Sequence, residues 1–228
     1  MPRLPWSVAV SPRTRTLLAW LPATVLVLII GGVVLASLAI QGSWWTEERP
    51  AASEDQKAPD GSSMLTDAGF DYVNVEGVVR VRVGEGGLSA TELGLPADGE
   101  KSAEFRRPVR AIVAAGDQVY ALDDIAGLSV TSRDDRLATV TLRPDVVRGW
   151  VGAVGYLRAL SAEFGWDAAQ LDGLEEEVAD FNRSGEGETF TATIGPSAGG
   201  AAIVTGTLVF DRASGATPVT ITFEPATD

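Results

Sequence analysis

"DVVRGWVGAVGYLRALSAEFGWDAAQLDGLEEEVADFN", residues 145–182, breaks the rhythm of the chain around it. Val147, Trp150, Val151, Val154, Leu157 and Leu160 recur at intervals of three and four, the spacing of one helix face. Gly149, Gly152 and Gly155 fall every third residue in the same run. They lower helix propensity but permit a close backbone approach. Gly165 should end this helix, and Asp167 can cap the next one. In that second helix Leu171, Leu174, Val178 and Phe181 share a face, with Glu175, Glu176 and Glu177 turned to water.

On both sides of this block the period is two. "DYVNVEGVVRVRVGEGG", residues 71–87, places Val73, Val75, Val79, Val81 and Val83 on one parity. Asn74, Glu76, Arg80 and Arg82 take the other, which predicts one half-buried strand with a bulge or bend at Gly77. Ser89 and Glu92 have capping-box spacing, so a short helix is expected there. "PVRAIVAAGDQVYAL" and "GLSVTSRDDRLATVTLRP" read as strands turning at Gly116–Asp117 and Asp134–Asp135. After the helices come "ETFTATIG", "AAIVTGTLVFD" and "TPVTITFEP", where Phe190, Ala192, Ile194, Val219, Ile221 and Phe223 alternate with threonines. "DRASGA" turns the chain between the last two. Residues 69–228 are therefore expected to form an α+β domain of antiparallel strands, two packed helices and a C-terminal β-meander.

The N-terminal part is of another kind. From Leu17 to Ile40 there is no charged residue, a run of 24 positions, where a bilayer core needs roughly 20. Trp20 and the pair Trp44–Trp45 lie near its ends, as interfacial tryptophans do. Gly32 and Ala36 offer only an incomplete small-residue dimerisation frame. Secretory apolar regions are shorter, about 7–15 residues, although Ser37 and Ala39 would suit a peptidase cutting after Ala39. The expectation is an uncleaved signal-anchor, a transmembrane helix over 17–40, preceded by a cytoplasmic tail, residues 1–16. Arg3, Arg13 and Arg15 precede the run, so the N-terminus is predicted inside and the C-terminal domain outside. Residues 41–68, rich in Pro, Ser, Ala and acids over 46–68, read as a flexible tether reaching roughly 25 Å.

Composition narrows the chemistry. The 228 residues contain no cysteine and no histidine. That removes disulfides, thiolate metal sites, cysteine nucleophiles, lipidated cysteine and the usual general base. The 15 basic residues after the apolar run face all 31 acids, a balance of −16. Such a domain repels phosphate backbones, so nucleic acid is not expected as a ligand. Lys57 and Lys101 are the only lysines. Lys101 and its neighbour Ser102 would point apart in a strand and cannot form a dyad, so "DGEKSAEF" reads as a solvated loop. The acids of "LDDIAG", "SRDDR" and "DGLEEEVADFN" read as two turns and a polar helix face. "GEGG", 84–87, and "SAGGAA", 197–202, lack the context of a phosphate loop and read as turns. No catalytic, cofactor-binding or metal-ligating residue is assigned from the sequence, and no cofactor is expected.

The expected function is a single-pass, membrane-anchored extracytoplasmic binding or assembly module of the bacterial cell envelope. Its partners would be the bilayer, through residues 17–40, and an envelope protein. The alternative is a carrier sheltering an apolar ligand or lipid between the helix pair and the sheet, near Trp150 and Trp166. The third reading is a carboxylate-based hydrolase.

Overall fold

The computed structural model describes residues 12–41, 52–84, 86–145, 149–196 and 201–226. The chain divides into two compact units, Met1–Ala51 and Ala52–Asp228.

In the first unit, helix α1 spans Pro12–Gln41. It starts five residues before the uncharged run, which puts Pro22 well inside the helix and not in its first turns. The Thr24 hydroxyl donates to the Trp20 carbonyl at 3.1 Å, so this side chain bonds its own helix. Side chains described without a break run from Trp20 to Leu35, and all are exposed. Among the described residues, no helix is long and apolar enough to cross a membrane. Trp44 and Trp45 lie outside the described residues.

The second unit is α+β. Its elements are α2 (Asp67–Glu76), β1 (Val78–Val83), β2 (Gly99–Ala115), β3 (Gln118–Arg133) and β4 (Arg136–Pro144), then α3 (Gly149–Phe164) and α4 (Leu174–Ser184). The C-terminal strands β5 (Thr189–Ile194), β6 (Ala202–Asp211) and β7 (Val219–Pro225) form the expected antiparallel meander. The seven strands make one sheet in the order β1-β2-β3-β4-β7-β6-β5, and only the β1–β2 pair is parallel.

This sheet folds over on itself. The β2–β3 ribbon is long, and its register shifts between Glu104 and Ala111, opposite Leu122–Gly127. Bulges bend strands and increase their twist. Beyond the bend, the far half of the ribbon carries β1 across to touch β4 and β7. Tyr120, on that far half, lies 5.4 Å from the Phe223 ring of β7 and 5.6 Å from Phe164 of α3. The core is the space between the two halves, filled by Val79, Val81, Val113, Leu142, Val204, Leu208, Ile221 and Phe223.

Several expectations need correction. Residues 71–77 are not the start of a strand. The Thr66 hydroxyl caps α2 by accepting from Gly69 N at 3.0 Å, and Gly77 closes it in the left-handed region at φ 79°. In consequence Val73 is fully buried while Val75 is 57% exposed, although both share the parity of the strand that follows. The tether expected over 41–68 is folded from residue 52 onward; residues 42–51 lie outside the described set. Leu65 is completely buried, Ala58 and Ser62 are also buried, and Ser63 N donates to Arg80 O at 2.8 Å along the outer edge of β1. Two apolar anchors and a run of backbone hydrogen bonds suffice here, which an average over composition cannot register.

"DGEKSAEF" is the first part of β2 and not a loop. The helix expected near Ser89 is a single turn. Its capping box does form, with Ser89 N donating to Glu92 Oε2 at 2.8 Å and Glu92 N to Ser89 Oγ at 3.3 Å. Gly94, at φ +87°, and Pro96 then divert the chain. In α3 the buried face is Ala153, Leu157, Ser161 and Phe164; Val151 is 83% exposed, and Val147 lies outside the described residues. No backbone approaches Gly149, Gly152 or Gly155, each of which faces open space. Asp167 caps a 3-10 turn, Ala168–Leu171, and not α4 itself. The expected faces of α4 hold: Leu174 and Val178 are buried, Phe181 is half-buried and Glu175–Glu177 are exposed.

Candidate functional site

The two ends of the folded-over sheet are finished differently. Over β5 and β6, α3 and the 3-10 turn fill the space. Trp166 donates its indole N–H to Val204 O at 2.8 Å, and Phe164 stacks 4.8 Å from it. A Cβ on Gly206 would meet Leu157, Ile194 and Trp166 at 2.8–2.9 Å, so no room is left for a ligand there. Trp150, Phe181, Phe190 and Phe210 form a second aromatic cluster beside it, with centroids 5.7–6.4 Å apart. The space in which a carrier would shelter an apolar ligand is side chain.

The opposite end is open. A recess of about 870 Å³ lies between the end of β1 (Val83, Gly84), the β2–β3 turn at Gly116, the β3–β4 hairpin and the end of β7. A smaller one of about 580 Å³ adjoins it, and the two share Gly84, Arg136 and Leu137. Both volumes fall in the range of small-molecule sites, which recur at the mouths of β-barrels.

The hairpin that walls both recesses is held firmly. Asp134 and Asp135 adopt φ of 51° and 60°, a tight primed turn that aspartate tolerates better than most residues. Asp134 N donates to Asp98 Oδ1 at 3.0 Å, and Asp135 N to Ala97 O at 3.0 Å. The Asp135 carboxylate accepts from Thr91 N at 2.9 Å, while Ser132 Oγ donates to Pro96 O at 2.7 Å. On this turn Arg133 and Arg136 face each other as directly paired residues of β3 and β4. Like charges so placed destabilise a hairpin unless something offsets them.

Arginine pairing in the rest of the domain sets this end apart. Arg80 bonds Glu76 at 2.9 Å, Arg106 bonds Asp71 and Arg110 bonds Asp123 at 3.0 Å, and Arg158 bonds Asp172 at 2.9 Å. Arg143 pairs with Glu104 and Arg183 with Asp180. Arg107 donates to Val75 O, and Arg212 to the carbonyls of Phe181, Glu186 and Gly187 at the end of α4. Arg136 is also engaged. The side chains of Arg82 and Arg133 make no hydrogen bond or ion pair with the described residues. Arg133 lines the larger recess and Arg82 the smaller.

Of the acids and nucleophiles weighed in the sequence, Asp134 and Asp135 line the smaller recess, and the others lie elsewhere or are occupied. Lys101 bonds Asp67 at 2.6 Å, while Ser102 Oγ donates to Ser129 Oγ at 3.0 Å, so the two diverge as expected. Asp123 pairs with Arg110, and Glu175–Glu177 stay on the exposed face of α4. Burial and the charges of Glu163, Asp124 and Asp123 push the Tyr156 hydroxyl up to about 12, which keeps it protonated near neutrality. Among the described residues no cluster of acids could hold a metal ion. Among the described residues Glu224 is the single carboxylate lining the larger recess, and no described pair of carboxylates faces across it. The glycine-rich turns do border the site: Gly84, Gly86 and Gly87 line the recesses, as does Ala201, whereas Glu85 and residues 197–200 lie outside the described set.

Arg82, Arg133 and Arg136 did not stand out in the sequence. Arg82 belongs to an ordinary outward parity and "SRDDR" is an ordinary turn; only the fold brings them to one place. Compared with known protein families, with curated proteins and with solved structures, the chain finds no match in any of the three.

Proposed function

We propose that the chain is a single-pass, membrane-anchored binding or assembly module of the bacterial cell envelope, with its N-terminus in the cytoplasm and its domain outside. The observation that carries this reading is the uncharged run from Leu17 to Ile40, which α1 covers without interruption. In the sequence that run is 24 positions long, where a bilayer core needs roughly 20. The three arginines ahead of the run favour the inward N-terminus. A binding role is favoured over catalysis by a sequence without His or Cys.

Fractionation tests it. The full-length chain should sediment with membranes and resist a carbonate wash, and a reporter active only outside the cytoplasm should work when fused after Asp228. A soluble fragment beginning near Ile40, or activity of a cytoplasm-only reporter at the same fusion point, would overturn it.

A further inference from the structure

We infer that the outer edge of β5 is a docking site for an extended peptide segment of a partner protein, uncharged along its middle and basic at its ends, which adds a strand beside Thr189–Ile194. The inference rests on reading the domain as a binding or assembly module and names the chemistry of its partner.

The first support is the direction of the backbone groups. β5 is the last strand of the sheet and pairs with β6 in an unbroken register from Thr189↔Asp211 to Ile194↔Gly206. In an antiparallel pair, alternate residues turn both backbone groups toward the partner strand. Arg212 N donates to Glu188 O at 3.0 Å, so Phe190, Ala192 and Ile194 are the residues that exchange bonds with β6. The N–H and C=O groups of Thr189, Thr191 and Thr193 therefore point away from the sheet, and no described residue pairs with them. Gly195, next in that outward series, already holds a peptide-like group. Its N donates to Gln170 Oε1 at 2.7 Å, and its O accepts from Gln170 Nε2 at 3.3 Å. The Gln170 amide thus takes the place of one residue of a neighbouring strand, and Pro196, without an N–H, ends the edge. Exposed edges are usually blunted by charge, proline or a bulge. Thr189–Ile194 has none of the three, and an added strand is how such an edge binds peptides.

The second support is charge. Every residue from Asp167 to Pro196 is described, and the span holds eight acids and one base, Arg183, which pairs with Asp180. Residues 197–200, which follow, are uncharged in the sequence, and counting Arg148, Arg158 and Arg212 as well leaves acids in the majority. At the Gly195 end, Glu175–Glu177 begin five residues after Gln170, in the first turn of α4. At the Thr189 end stand Glu186 and Glu188, where Arg212 fixes the chain by donating to the Glu186 and Gly187 carbonyls. All five glutamates are exposed, and none forms an ion pair with a described residue. An uncharged strand between acidic ends complements a segment that is basic at its own ends. The same acids disfavour a second copy of this chain, which would bring its glutamates to those ends.

The probe is a synthetic peptide with Lys-Arg at each end and three Thr-Val repeats between, titrated into the full-length chain in phosphatidylcholine nanodiscs. Saturable binding is expected, weakening as salt is raised. Residue-resolved amide exchange on the same samples should slow at Thr189, Thr191 and Thr193 and stay unchanged at Phe190 and Ala192, whose N–H groups already bond β6. Thr191→Pro removes one outward N–H without touching the β6 ladder and should weaken binding at least about tenfold. A probe with Glu in place of each Lys and Arg should bind the native chain at least about tenfold more weakly. Asp117→Asn, at the β2–β3 turn, should bind as the native chain does. Absence of saturation, exchange that does not slow at Thr191, equal affinity in a folded Thr191→Pro variant, or equal affinity for the Glu-bearing probe overturns the site. Slow exchange at all three threonines in the chain alone, strengthening with its concentration, identifies a second copy as the occupant and overturns the basic partner. Each of those results leaves membrane anchoring untouched, and loss of anchoring in the fractionation leaves this titration valid.

Discussion

Where α3 crosses β6, the space above the sheet is filled to the point that a single added methyl on Gly206 would collide with three side chains. Around the β3–β4 hairpin the same sheet leaves about 870 Å³ open, with Arg133, Arg136 and Glu224 among mostly small and apolar lining residues. Both ends belong to one sheet, and the strands at both alternate apolar and polar residues. The difference comes from what the connections supply. Between β4 and β5 the chain has two helices and a 3-10 turn whose Leu, Phe and Trp side chains complete a core. At the other end the β2–β3 and β3–β4 connections are tight turns, and the described part of the β1–β2 connection packs against the β3–β4 turn without filling the recess. A filled end should therefore respond to mutation through packing, and the open end through charge.

The largest effect is expected at Leu157, fully buried in α3 beneath Gly206. Leu157→Ala should cost roughly 2–5 kcal/mol by chemical denaturation, a sizeable share of the usual margin of about 5–15 kcal/mol. A cost below about 1 kcal/mol would mean that this end is not tightly filled. Next comes Gly206→Ala, which probes the same contact by overpacking. It should destabilise by about 1–3 kcal/mol, and a neutral result would show slack between α3 and β6.

Tyr156 sharpens the comparison through pH. Its hydroxyl ionises near 12 in the folded domain against a reference of 10, because burial and the charges of Glu163, Asp124 and Asp123 disfavour the phenolate. The unfolded chain therefore loses this proton first, and stability should fall as pH rises from about 10 to about 12. Tyr156→Phe should flatten that decline, read from denaturation midpoints across the window, and an unchanged slope would contradict it.

The smallest effects should come from charged surfaces. Glu176→Ala, on the exposed face of α4, should change stability by less than about 0.5 kcal/mol. Arg133→Gln should stay within the same limit or stabilise slightly, since it removes a like-charge pair. A larger loss at Glu176 would mean that the helix phase is wrong.

The sequence by itself determined the features that rest on local periodicity and local chemistry. The α4 faces, the meander, the turns at Gly116–Asp117 and Asp134–Asp135, and the α+β class all follow from spacing that repeats within ten residues. The uncharged run and the absence of His and Cys are equally plain in the letters. Tertiary structure alone decided the rest. Val73 and Val75 fit a strand by parity, but a cap at Thr66 and a left-handed Gly77 make helix, because end groups must be satisfied whatever the side-chain period says. Leu65 and Ala58 look too sparse to fold, yet β1 offers them an unpaired edge and a core to enter. Arg82 and Arg133 are far apart in sequence and come to border adjoining recesses only when the bend in β2 and β3 folds the sheet over. Position along the chain carries no record of that bend, because it arises from bulges whose consequences lie several strands away.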